Sequence, residues 1–173
     1  MSGLLPVAGL AASVGTGLLF VMTGAQKWRH RAVLPGVIAN YRLLPEALVQ
    51  PAALLLPPVE MVLGGSLIAG WTPLPVVAGI ALLLLFAFAM GINVARGRGH
   101  IDCGCGGPEL RQSLSWALVA RNGAIAAALA LRLVPAPPLS LVDMLTAAAA
   151  GTAALLLYLL FQTVGSLAAV SRR

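Results

Sequence analysis

The sequence predicts an all-α fold: a polytopic membrane bundle of about five transmembrane helices plus an interfacial amphipathic segment, forming one domain over residues 1–173. Composition is the first reason. Hydrophobic residues make up 60% of the chain and charged residues 9%, with a mean hydropathy of +0.95. A soluble domain carries about a quarter charged residues to keep its surface wet, so most of this surface must face lipid. The second reason is a series of apolar runs of spanning length, separated by short polar or proline-rich breaks. The third is where the charge sits. Eleven Lys/Arg against five Asp/Glu give a net charge of +6, but the basic residues flank apolar runs instead of forming a stripe. They read as topology signals and anionic-lipid contacts, and nucleic acid is not an expected partner.

The first run, Gly3 to Ala25, ends at Gln26, Lys27, Trp28, Arg29, His30 and Arg31. It lacks a basic leader and exceeds the roughly 7–15 residues of a signal-peptide core, so a retained span is expected. Gly9, Gly15, Gly17 and Gly24 would let neighbouring helices approach closely. Residues 36–48 differ: Val37, Tyr41, Leu44 and Leu48 recur at helical spacing among polar Asn40, Arg42 and Glu46, the pattern of a helix lying along the bilayer surface. Pro45 suits the first turn of the next helix.

From Met61 to Ala95 run 35 uncharged residues. A single helix of that length would measure roughly 52 Å, against a hydrocarbon core of about 30 Å. The break "GWTPLP" at residues 70–75 divides it, giving a second span at Val49–Gly70 and a third at Leu74–Ala95. The fourth is expected at Leu114–Val134, with Arg121, Asn122 and Arg132 in it or at its end. After the turn "PAPPLS", Met144–Val170 forms the fifth, before Arg172 and Arg173.

Both cysteines lie in "HIDCGCGGPE", between the third and fourth spans. A Cys-Gly-Cys triplet can close a very small disulfide ring, with glycine supplying the backbone freedom. Strain in such a ring makes it easy to reduce, and stapling so short a loop removes little unfolded-state entropy. Exchange therefore suits Cys103 and Cys105 better than bracing. Arg98 and His100 would favour a thiolate, and Asp102 could accept or relay a proton. Two other readings stand beside this one. A pair of thiolates suits a soft ion such as Cu(I), with Cys103 and Cys105 as metal ligands and His100 or Asp102 assisting. Alternatively the cysteines are incidental, and the chain is a membrane scaffold.

Charged residues also fall inside the spans. Glu60, preceded by Pro57 and Pro58, lies in mid-span, where an ionisable group is expensive and defaults to a paired or functional role. Counting from Pro51 and Ser113 places Glu60 and Arg121 at matching depths, roughly 12–14 Å from the cysteine-bearing face. A Glu60–Arg121 pair is expected, with Asn122 bonding a neighbouring helix. Lys27 and Asn93 read as snorkelling or capping residues.

The stretch "ARGRGHIDCGCGGPELRQSLSWALVARN" resembles the signature of the MauE family, within the broader MauE/DoxX-like membrane proteins. The resemblance rests on Arg-x-Arg, Asp-Cys-Gly-Cys-x-Gly and Ser-Trp…Arg-Asn in that order; "NYRLLPEAL" and Pro-Pro-x-Glu around Glu60 also look like the family's. Gly106 departs from it, since an aromatic often stands there. The resemblance implies a multi-pass protein of the cell (inner or plasma) membrane. Its implied work is thiol–disulfide exchange with a thioredoxin-like partner, assisting maturation of an exported enzyme such as the methylamine dehydrogenase small subunit. The order of spans is similar to vitamin K epoxide reductase-type proteins, and by that analogy a quinone would reoxidise the pair.

Sidedness carries a tension. With five spans the cysteine loop shares a side with nine basic residues, and the positive-inside rule makes that side cytoplasmic. Disulfide donation to an exported client wants the thiols on the other side, where disulfides persist.

Overall fold

The computed structural model describes residues 3–104 and 112–170, with side chains to residue 161. Six helices follow one another: α1 (Leu4–Arg29), α2 (Leu34–Asn40), α3 (Glu46–Ile68), α4 (Leu74–Ala95), α5 (Trp116–Ala130, extended by a 3-10 turn at Leu131–Leu133) and α6 (Leu141–Val170). All but α2 are long and apolar enough to cross a membrane.

α1 is the central post, packed against α3, α6 and α5, while α4 lies on α5 and α3. Glycine sets how closely the post is approached. A Cβ on Gly17 would lie 2.7 Å from the Gly64 carbonyl oxygen, and one on Gly64 would lie 2.5 Å from that of Gly17. On another face of α1, a Cβ on Gly15 would lie 3.1 Å from the Gly151 carbonyl oxygen of α6. Such backbone-to-backbone contact drives helix association where no hydrophobic effect operates. Phe20, Leu67, Val76, Leu83, Ala126 and Leu129 fill the space between helices. Up to Phe161, the rest of α6 is largely exposed, as lipid-facing Leu145, Leu156, Leu157 and Phe161 require.

The third span matches its expected limits residue for residue. The hairpin before it is closed by Gly70 at φ +78°, with Gly70 N–H donating to Leu67 and Trp71 N–H to Ser66, the paired bonds of a glycine-terminated helix. The interfacial segment is shorter than its pattern suggested. α2 stops at Asn40, Arg42 turns the chain at φ +50°, and extended Pro45 caps α3, so Glu46 and Leu48 belong to the span. Leu44, the residue before Pro45, resists helical geometry, so the amphipathic stretch does not run on into α3 as one helix. α3 runs unbroken through Pro51, Pro57 and Pro58. α5 starts two residues later than expected because Leu114 belongs to the preceding loop. α6 starts three residues earlier, because Ser140 and Asp143 cap it reciprocally: Ser140 Oγ donates to Asp143 Oδ2 (2.7 Å) and accepts from Asp143 N–H (3.2 Å).

Candidate functional site

The cysteine loop is held by a short neck. Asp102 and Ser113 form an antiparallel bridge, Cys103 N–H donates to the Gln112 carbonyl (2.9 Å), and Leu114 N–H donates to that of Ile101 (3.1 Å). Below the neck, Ile101, Cys103 and Leu114 are buried with Met90 and Leu118, so hydrophobic burial seats the loop on α4 and α5. Cys103 is 8% exposed. Cys105 and Gly106 lie outside the described residues.

A chain of hydrogen bonds ties this neck to α2. Asn93, wholly buried near the end of α4, accepts from Arg98 Nη1 (2.8 Å) through Oδ1 and anchors its own amide on the Ala89 carbonyl (3.0 Å). Gly97 at φ +72° turns Arg98 back across the helix end. The Arg98 guanidinium then donates to the carbonyls of Asn40 (2.6 Å) and Tyr41 (3.3 Å), the negative end of α2. Tyr41 in turn donates its hydroxyl to the Cys103 carbonyl (3.0 Å). Arg98, expected to act on the thiols, spends these bonds fastening α4 to α2.

Gly104 stands at φ +70°, and a Cβ there would meet Val37 Cγ1 at 2.8 Å. Only glycine lets the loop rest on α2 in this conformation. Asp102 Oδ1 accepts the Gly104 N–H (3.2 Å), so one carboxylate oxygen shapes the turn. Asp102, Gly104, His100 and Arg98 line one side of a cleft of about 740 Å³, with Lys27, His30, Val37 and Arg42 among the residues opposite.

The expected Glu60–Arg121 pair is corrected by the structure. Glu60, wholly buried, pairs with Lys27 of α1, and Thr23 lies beside the carboxyl. Arg121 instead donates to the Tyr158 hydroxyl on α6, its guanidinium 5.3 Å from that ring's centroid. Matching depth fixes position along the bundle but not which helix faces which. Lys27 follows Gly24 by three residues and Phe20 by seven, so it extends the buried stripe of α1 and reaches inward. That spacing was the available signal. Asn122 is buried, but its amide bonds back to the Leu118 carbonyl of its own helix (3.0 Å). Tyr41 and Val37, which touch the cysteine neck, were read only as interfacial. Among the described residues, no three His, Cys, Asp or Glu side chains gather as a metal site.

Arg98, His100, Asp102 and Cys103 are therefore brought to one end of the bundle. Among the described residues, Glu60 is joined to that region through Lys27, whereas Arg121 and Asn122 do not line its cleft.

A family model described as methylamine utilisation protein MauE matches residues 5–135. A methylamine utilization protein MauE of Paracoccus denitrificans is 43% identical over 170 residues, covering 95% of this chain and 90% of that one. One from Methylorubrum extorquens is 44% identical over 154 residues, covering 82% and 78%. One from Paracoccus versutus is 37% identical over 164 residues, covering 92% and 85%. No solved structure matches the chain. A matching family model over most of the length, with relatives 43% and 44% identical over most of the chain, shows that the chain belongs to the methylamine utilisation protein MauE family, and its five spanning-length helices make it a multi-pass membrane protein.

Proposed function

We propose that this protein is a cell-membrane thiol–disulfide redox protein working through Cys103 and Cys105. Its partner is a thioredoxin-like protein, and its role is the maturation of an exported enzyme such as the methylamine dehydrogenase small subunit. One observation carries the reading: Cys103 is fixed by its backbone, N–H on Gln112 and carbonyl on the Tyr41 hydroxyl, between Asp102 and Gly104, which both line a polar cleft. A cysteine that only filled space would not call for a hydrogen-bonded neck and a glycine at φ +70° beside it.

The exchange balances within the two proteins. A thiolate of the pair attacks the partner's disulfide and forms a mixed disulfide, releasing one partner thiolate. The second thiol, deprotonated, resolves it, leaving Cys103–Cys105 joined and the partner carrying two thiols. Two electrons and two protons have passed to the partner, and the reverse reaction runs through the same intermediate.

Replacing both cysteines by serine is expected to abolish client maturation and any mixed disulfide with the partner, while leaving the protein in the membrane. Normal maturation by the double variant overturns the proposal and leaves a helical scaffold. A membrane-impermeant thiol reagent on intact cells then sets the direction of flow. Labelling means exchange on the side of the exported client; protection means supply of electrons from cytoplasmic thiols.

A further inference from the structure

The cleft beside the cysteine neck carries more positive charge than disulfide exchange alone requires. Lys27 is answered by Glu60, but among the described lining residues Arg42 and Arg98 outnumber Asp102. Arg42 is the telling residue. It holds φ +50°, a left-handed conformation that disfavours long L side chains and suits glycine or asparagine. Its side chain is exposed and, among the described residues, makes no hydrogen bond or ion pair. Folding would be served better by another residue, so the arginine is kept for something outside the fold.

From this, and resting on the exchange reading above, we infer that the cleft is a docking groove for an acidic segment of the partner, next to that partner's reactive cysteine. The lining favours a peptide over a lipid phosphate. Gln26, Asn40 and Ser113 bring side chains with acceptors as well as donors, and Asp102, whose Oδ1 accepts from Gly104, also lines the cleft. A phosphodiester brings acceptors only and meets Asp102 with like charge. A peptide brings carboxylates for Arg42 together with N–H groups for Asp102 and the amide oxygens.

The test uses the full chain in neutral-lipid nanodiscs and fluorescent peptides of equal length. A serine stands in for the reactive cysteine, flanked by glutamates, glutamines or lysines. The glutamate peptide is expected to bind about tenfold more tightly than the glutamine peptide, with the gap closing at high salt. Arg42→Asn removes the charge while suiting the left-handed backbone. It should leave thermal stability equal or higher, weaken the glutamate peptide about threefold, and leave the glutamine peptide unchanged. Equal binding of all three peptides, or no effect of Arg42→Asn, overturns the proposal. In a parallel titration with phosphatidylglycerol vesicles, so does a result in which Arg42→Asn weakens only the association with that lipid, which would make a lipid headgroup the occupant. Disulfide-bearing versions of the peptides separate the two ideas. Glutamate-selective binding without exchange sinks the redox reading and spares the groove, whereas exchange at one rate for all peptides does the opposite.

Discussion

Lys27 and Glu60 join α1 to α3 as opposite charges, whereas Arg121 joins α5 to α6 as a cation resting on a neutral phenol. The surroundings explain the difference. α1 and α3 also touch beside the pair, where a Cβ on Gly24 would lie 2.9 Å from the Pro57 carbonyl oxygen and 3.2 Å from Glu60 Cβ, so the buried charge on α3 is met by a countercharge on α1. The Lys27 ammonium also lies 5.0 Å from the Phe86 ring centroid, and among the described residues Glu60 Oε2 has no hydrogen-bond partner, so the carboxylate depends chiefly on Lys27, with Thr23 beside it. Among the described residues, α5 and α6 form no packed seam of their own. Arg121 is only half-buried there, and among the described contacts a hydroxyl and a π face meet its guanidinium. An ion pair marks the tight joint, and a cation on an aromatic marks the loose one.

The contrast breaks most visibly at Lys27. Lys27→Met strands a carboxylate that is 0% exposed and is expected to cost about 3–5 kcal/mol in reversible unfolding. Glu60→Gln should cost less, because the lysine left behind lines the cleft and can turn towards it. The double variant Lys27→Met/Glu60→Gln should recover most of the loss, since no buried charge remains. If Lys27→Met and the double variant unfold alike, the pair is no electrostatic clasp.

Adjacent glycines sharpen the same point at a smaller magnitude. A Cβ on Gly64 would meet the Gly17 carbonyl, Val21 Cγ2 and Val21 N, two of them backbone atoms that cannot step aside, whereas one on Gly65 meets nothing within 4 Å. Gly64→Ala should therefore destabilise by about 1–3 kcal/mol. Gly65→Ala should be neutral or stabilising by up to roughly 1 kcal/mol through helix propensity. Similar thermal shifts for both would mean that the seam is looser than its geometry.

How much of this was legible follows from what each signal encodes. Hydropathy and proline placement are local, and they gave the five spans and the limits of the third. The early start of α6 was also local, written in Ser140 and Asp143, a capping pair easily lost beside the prolines before it. Partners across helices were not local. Depth gave Glu60 an axial position, but only the facing stripe of α1, through Gly17, Phe20, Gly24 and then Lys27, gives the rotation about the axis. Tyr41 reaches Cys103 across 62 positions of sequence, and no periodicity spans that gap. The cysteine motif announced its chemistry, while the α2 surface that supports it had to be seen folded.

The smallest effect tests the loose joint itself. Tyr158→Phe removes the hydroxyl that Arg121 bonds but keeps a ring face for the guanidinium. Polar contacts between membrane helices average about 0.6 kcal/mol and reach about 1.7, so this variant should lower the unfolding midpoint in detergent only slightly. Because α6 is also seated on α1 at Gly15 and Gly151, its attachment should survive. A loss as large as that of Lys27→Met would mean that Arg121 has no other means of being solvated. The phenol would then be obligatory, and the distinction between a tight charged joint and a loose aromatic one would fall.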